Sequence, residues 1–307
     1  MKTSSHSRDG FALLAVLWML FGGAILGLLI VLTSRDAQGE ALNRVNLARA
    51  RWVAEGCVER TRAAVEEELS SDDPIPDSIW MHLDGVVVRS PLTQGCSLEL
   101  TPAGMTLDVN SATELQLHRF FSAAGLPTVT VDSLTDAILD WRDVDDASRE
   151  SGAERAWYDS AKSVPPLNAR LASAEELQFI RGMDAHADVA RLLSVEDDRI
   201  LLSRAPLPIL ATLPGMTPAA VAIIERLRAS GDSQLTVPRI AALLPVESRT
   251  VLLANLSSLS AMTTASPDAW LIAASASKGQ PSVTARLEIR VVRSGRRLAI
   301  LRRRSDP

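Results

Sequence analysis

Histidine and cysteine are scarce in this sequence, four and two among 307 residues. His6, His82, His118 and His186 are dispersed and lack metal-ligand spacing, which excludes a zinc centre built on them. A Gly-x-Ser-x-Gly elbow and a phosphate-binding glycine loop with its lysine are both missing. The expectation is therefore a protein that is not an enzyme. An excess of positive charge is missing too. The formal net charge is −5, which argues against a general nucleic-acid or anionic-lipid surface. The two cysteines, Cys57 and Cys96, have two readings: a pair formed in an oxidising compartment, or two separate buried thiols. A bridge would pin a helix to a strand, but sequence does not show whether the Cα atoms come within bonding range.

Charge is also absent between Asp9 and Arg35. The run 11–33, FALLAVLWMLFGGAILGLLIVLT, spans roughly 30 Å at about 1.5 Å per residue, the thickness of a bilayer's hydrocarbon layer. It is expected to be a membrane helix. Lys2 and Arg8 on the short N-terminal side place that side in the cytoplasm and the rest of the chain outside it. A secretory signal peptide would carry its small-residue cleavage site after the apolar run, whereas Gly10 stands before it. Cleavage between Gly10 and Phe11 would leave the helix on the mature chain. The plainer alternative is an uncleaved signal anchor. The leader resembles the class III leader of type IV pilins and pseudopilins. That resemblance implies a prepilin peptidase that cuts after Gly10 and methylates Phe11.

An apolar content of 47% supports a packed core beyond the anchor. Helical spacing continues through Leu42, Val45, Ala48, Trp52 and Val53, and stops at Ser70-Ser71-Asp72-Asp73-Pro74. Short β-like runs follow at 86–88, 97–100 and 105–108, read as the first strands of a small sheet on the helix. From 110 to 260 the chain is helical in character. Ser111-Ala112-Thr113-Glu114 and Ser173-Ala174-Glu175-Glu176 read as capping boxes. Asp132 or Ser133 opens a second helix, Asp184 a later one, and Thr217-Pro218 is an N-cap with proline behind it. Gly182 and Gly231 are helix closers. Strands return at 270–277, 283–293 and 296–303, with Ser294-Gly295 as a turn, in an antiparallel meander. In the middle strand Val283, Ala285, Leu287, Ile289 and Val291 form the buried face, and Thr284, Arg286, Glu288 and Arg290 the wet one. The expected fold class is α+β: a long N-terminal helix on a small antiparallel sheet, with a large helical domain inserted. The expected boundaries are 1–10, 11–34, 35–108, 109–264 and 265–307.

The stretches ARARWVAEGC, GMTLDVNSATELQLHRFF, ILDWRDVDDASRESGAERAWY, LASAEELQFIRGM and LPILATLPGMTPAAVAIIERLR occur in that order. Together they resemble the type II secretion protein K family, the largest minor pseudopilins. The resemblance implies a pseudopilin fold with an inserted helical domain, placed at the tip of the pseudopilus and acting in export across the outer membrane. It implies minor pseudopilins I and J as partners, with major pseudopilin G, the prepilin peptidase and the inner-membrane assembly platform. It also implies a single-pass inner-membrane anchor and a periplasmic soluble part.

Four features carry candidate function. Ala15 is the fifth residue of the expected mature chain, where most pilins carry glutamate. That glutamate compensates a neighbour's N-terminal ammonium in the apolar filament core. Its absence fits a tip subunit, or a helix that never enters a filament. The acidic run Asp140, Asp143, Asp145, Asp146, Glu150 and Glu154 is either a solvated loop or a calcium site, as the resemblance implies, with Asp143, Asp145, Asp146 and Glu154 as ligands. The run has no positioned histidine or nucleophile for metal-hydrolase chemistry. Leu213-Pro214-Gly215-Met216-Thr217 resembles a helix-hairpin-helix turn, which supports a second function, a membrane-anchored DNA-binding protein of the competence type. Pro218 has no N–H to offer a phosphate, so a packing module is the expectation. Last, Arg286, Arg290, Arg293, Arg296, Arg297, Arg302, Arg303 and Arg304 are either a solvated strand edge or a docking face for an acidic neighbour.

Overall fold

The structure is a computed structural model that describes residues 6–70, 86–87, 95–231 and 235–306. Helix α1, His6–Ser70, runs unbroken for 65 residues. It is long and apolar enough to cross a membrane, and none of its most apolar window is buried. Its far end behaves differently. Ala54, Cys57, Val58, Thr61 and Val65 recur at helical spacing and are buried.

That stripe packs on a five-stranded antiparallel sheet of β1 (Val86–Val87), β2 (Ser97–Pro102), β3 (Ala269–Lys278), β4 (Val283–Ser294) and β5 (Arg297–Asp306), in sequential spatial order. Leu98, Leu100, Trp270, Ile272, Leu287, Ile289 and Val291 complete the core under α1. The meander is as expected from the alternation in β4. Its turn lies one residue later, because Ser294 pairs with Arg297 and Gly295 takes the positive φ.

The helical body is inserted between β2 and β3. The helices that bear on the site are α2 (Glu114–Ala123), α3 (Thr128–Arg142) and α4 (Arg155–Ala161), which pack around Phe120, Phe121, Leu134, Ile138, Trp141 and Tyr158. Three local expectations are corrected. The capping box of α2 is Thr113 with Gln116, shifted from Ser111 and Glu114. Helix α3 starts at Thr128 behind Pro127 rather than at Asp132, because the β-branched Thr128-Val129-Thr130 masks its first turn. The 105–108 run is not a strand of the main sheet. Leu107–Asp108 pairs in parallel with Leu193–Ser194, and Leu107 and Val109 join the core of the helical body.

On the outer face of β4, Thr284 and Arg286 are exposed as expected, but one position departs. Arg290 is not solvated: its side chain is 10% exposed and pairs with Asp198 and, at 2.9 Å, with Glu196 of the helical body. Arg302 on β5 reaches Glu196 at 2.6 Å, and Arg304 pairs with Glu175. Arg303, on the opposite face, pairs with Glu55 of α1. Much of the basic end is thus spent inside the molecule, holding α1 on one face of the sheet and the insert on the other. The neighbouring segment ties the insert's two connections together. Ile200–Leu201 pairs in parallel with Thr263–Thr264, and the Leu201 N–H donates to the Gly104 carbonyl at 2.9 Å.

Candidate functional site

The acidic run folds around one buried carboxyl. Asp140 and Asp143 lie three residues apart at the C-terminal end of α3, so helical geometry turns them to one side. The following loop wraps back, and the Arg149 N–H donates to Asp140 Oδ2 at 3.2 Å. A Cβ at Gly152 would sit 2.0 Å from Asp140 Oδ2, so only glycine allows this approach. The loop then delivers Glu154 at the N-cap of α4 without using its side chain as a cap. One oxygen each from Asp140, Asp143 and Glu154 fall within 4.8 Å of one another.

The environment is hostile to three free negative charges. Asp140 is fully buried and Glu154 is 4% exposed. Asp143 Oδ1 and both Glu154 oxygens are buried without a hydrogen-bond partner. Burial pushes the Glu154 carboxyl up to about 7, with Asp140 and Asp143 adding to the rise. Burial also raises Asp140, against the Arg149 N–H, and raises Asp143, with Asp145 adding to it. Orphaned, buried carboxylate oxygens converging on one point are the donor set a hard divalent cation takes.

Four ligands were expected, and two of them, Asp143 and Glu154, are brought together. Asp145 and Asp146 are not part of the group. Asp145 Oδ1 accepts from the Ala147 N–H at 2.9 Å, and Asp146 Oδ1 accepts from Asn168 Nδ2 at 3.0 Å; both residues are exposed. Asp140, outside the expected ligand set, takes their place. The i, i+3 spacing of Asp140 and Asp143 on a helix end was the signal for it.

The other expected site residues are scattered. Gly10 and Phe11 lie within the span of α1, and Ala15 is exposed on it. Cys57 on α1 and Cys96 beside β2 are joined by a disulfide, with Cα atoms 6.8 Å apart. The hairpin lies between α5 (Leu207–Ala211) and α6 (Pro218–Ala229). Gly215 there has φ +72°, and a Cβ on it would lie 2.9 Å from the Val251 carbonyl, so the turn is packed against the helix Val246–Ala254. The Met216 N–H donates to Leu213, and Arg228 caps the carbonyls of Leu202 and Ala205. These groups are occupied within the protein.

A long helix laid on a small antiparallel sheet, with a helical body inserted between its second and third strands, defines an enlarged pseudopilin fold. Residues 97–195, which include the whole carboxylate cluster, match the family model described as type II secretion system (T2SS), protein K. A chain from the crystal structure of the GspK-GspI-GspJ complex of the enterotoxigenic Escherichia coli type 2 secretion system has the same fold. It aligns with a TM-score of 0.56 and 14% identity, over 89% of this chain and 99% of that one. No curated protein matches the chain.

Proposed function

We propose that this protein is a minor pseudopilin at the tip of a type II secretion pseudopilus, with a structural role in its assembly and in protein export across the outer membrane. The observation that carries the reading is the helical body inserted between β2 and β3 of the sheet, in a chain whose residues 97–195 match the protein K family model. Such a body enlarges the subunit where another would stack. Ala15 supports the same position: a tip subunit has no neighbour above whose amine needs a carboxylate. Residues 11–34 anchor the chain in the inner membrane and the chain beyond residue 34 is periplasmic, a compartment that also suits the Cys57–Cys96 bridge.

The similar structure is a complex with GspI and GspJ, and equivalents of these are the proposed partners here. Major pseudopilin G, the prepilin peptidase and the assembly platform complete the set. On α1, Leu42, Val45 and Trp52 form a stripe of exposed apolar side chains above the anchor, with Trp52 74% exposed. A partner helix would cover this stripe. Chain recovered from membranes that contain active prepilin peptidase should begin at Phe11 and co-purify with the I-like and J-like proteins. Trp52→Asp should reduce that recovery at least tenfold. A chain still beginning at Met1 would defeat the leader assignment, and recovery without the partners would defeat the assembly reading.

Calcium is the cation proposed for Asp140, Asp143 and Glu154, on the strength of the orphaned buried oxygens. Its role there is to neutralise and cross-link α3 and α4. Chelation should lower the melting temperature, and Asp143→Ala should abolish the difference between chelator and excess calcium. Because the proton on Glu154 competes with the cation, binding should be tighter at pH 8 than at pH 6. Identical melting with chelator and with excess calcium would leave only a solvated acidic loop. The DNA-binding alternative is not favoured, since the hairpin turn packs on its own protein and Pro218 donates nothing.

A further inference from the structure

We propose that Arg149 is a built-in counter-ion that weakens the carboxylate cluster's affinity for a divalent cation while stabilising the cation-free protein. The inference rests on the calcium reading. The guanidinium lies against the Asp140 and Asp143 members of the cluster. Its Nε lies 3.3 Å from Asp140 Oδ1, one terminal nitrogen lies 3.9 Å from Asp143 Oδ2, and the other lies 3.9 Å from Glu114 Oε2 on α2. Three cluster oxygens outside these contacts are orphans: Asp143 Oδ1 and both oxygens of Glu154, a side chain 4% exposed. Asp143 is therefore divided, one oxygen near the arginine and one buried without a partner.

Two consequences follow, with opposite signs. Without a cation, Arg149 provides the nearest positive charge to two carboxylates that burial disfavours in their charged form, so it holds the loop against α3. With a cation, the same fixed charge stands across Asp140 and Asp143 from the ion and repels it. The Arg149 side chain is 40% exposed, so water screens that repulsion to a moderate effect, roughly tenfold in affinity rather than many orders of magnitude. A positioning role would have the opposite signature, because losing a residue that aims the ligands loosens binding.

The test is calcium titration by calorimetry at pH 8 on the full chain in detergent micelles, with melting in chelator and in saturating calcium. Arg149→Gln keeps the backbone N–H that donates to Asp140 and removes the charge. It should bind calcium about tenfold more tightly than wild type, melt lower in chelator, and show a larger calcium-induced shift. Arg149→Lys, which restores a charge, should return the affinity toward wild type. Equal or weaker binding by Arg149→Gln, with wild type binding normally, would overturn the counter-ion role and leave the calcium site standing. Absence of binding heat and melting shift in wild type would remove the calcium reading and this inference together.

Discussion

Replacing both cysteines, as Cys57→Ser with Cys96→Ser, should destabilise the pseudopilin half of the molecule by about 4 kcal/mol. The bridge closes a loop with a sequence separation of 39, and the chain-entropy model gives about that figure for such a loop. The loop contains β1, and the bridge fixes α1 to the start of β2. Cys57 is fully buried in the core beneath α1, so a serine hydroxyl there adds a desolvation penalty. Denaturant unfolding of the double variant, or of wild type under reducing conditions, measures the loss. An unchanged midpoint would mean that the bridge contributes nothing to stability.

Arg290→Ala should be nearly as damaging, on the order of 3–5 kcal/mol, the usual result of removing one partner from a buried ion pair. Arg290 and Asp198 are each 10% exposed at the side chain, and Glu196 is shared with Arg302. Burial raises the Asp198 carboxyl and Arg290 holds it down, so removing the arginine leaves an acid that must protonate or admit water. The damage should be local in hydrogen exchange, concentrated at 193–202, where the insert meets the sheet. Arg290→Met combined with Asp198→Asn should recover part of the loss, since an uncharged pair avoids the orphaned carboxyl. Uniform exchange across the molecule would argue that Arg290 does not fasten the insert.

The long-range plan of the fold was legible because it depends on patterns of hydrophobicity. The charge-free run, the helical spacing after Leu42 and the alternation in β4 are each one-dimensional signals of burial. Thr217 was legible for the same kind of reason: its hydroxyl accepts from the Ala220 N–H, a bond local in sequence. What the sequence obscured depends on contacts between distant residues. Arg290 reads as a wet position by alternation, and only the fold brings Glu196 and Asp198 to it across more than ninety residues. Leu107–Asp108 reads as a sheet strand until Leu193–Ser194 competes for it. In the carboxylate cluster, composition marked the run but could not rank its members. The selection of Asp140 over Asp145 and Asp146 comes from the end of α3 and from the room that Gly152 leaves.

The tip position is tested most directly by electron microscopy of sheared pseudopili with the C-terminal region of this protein labelled. One label at one end of each filament is the expected result. It follows from a helical body inserted between β2 and β3 and fastened to the sheet through Arg290 and Arg302, and from an N-terminal segment carrying Ala15 in place of a compensating carboxylate. Labels repeating along the shaft would contradict the tip assignment, because they would show this subunit stacking on its own kind despite both features.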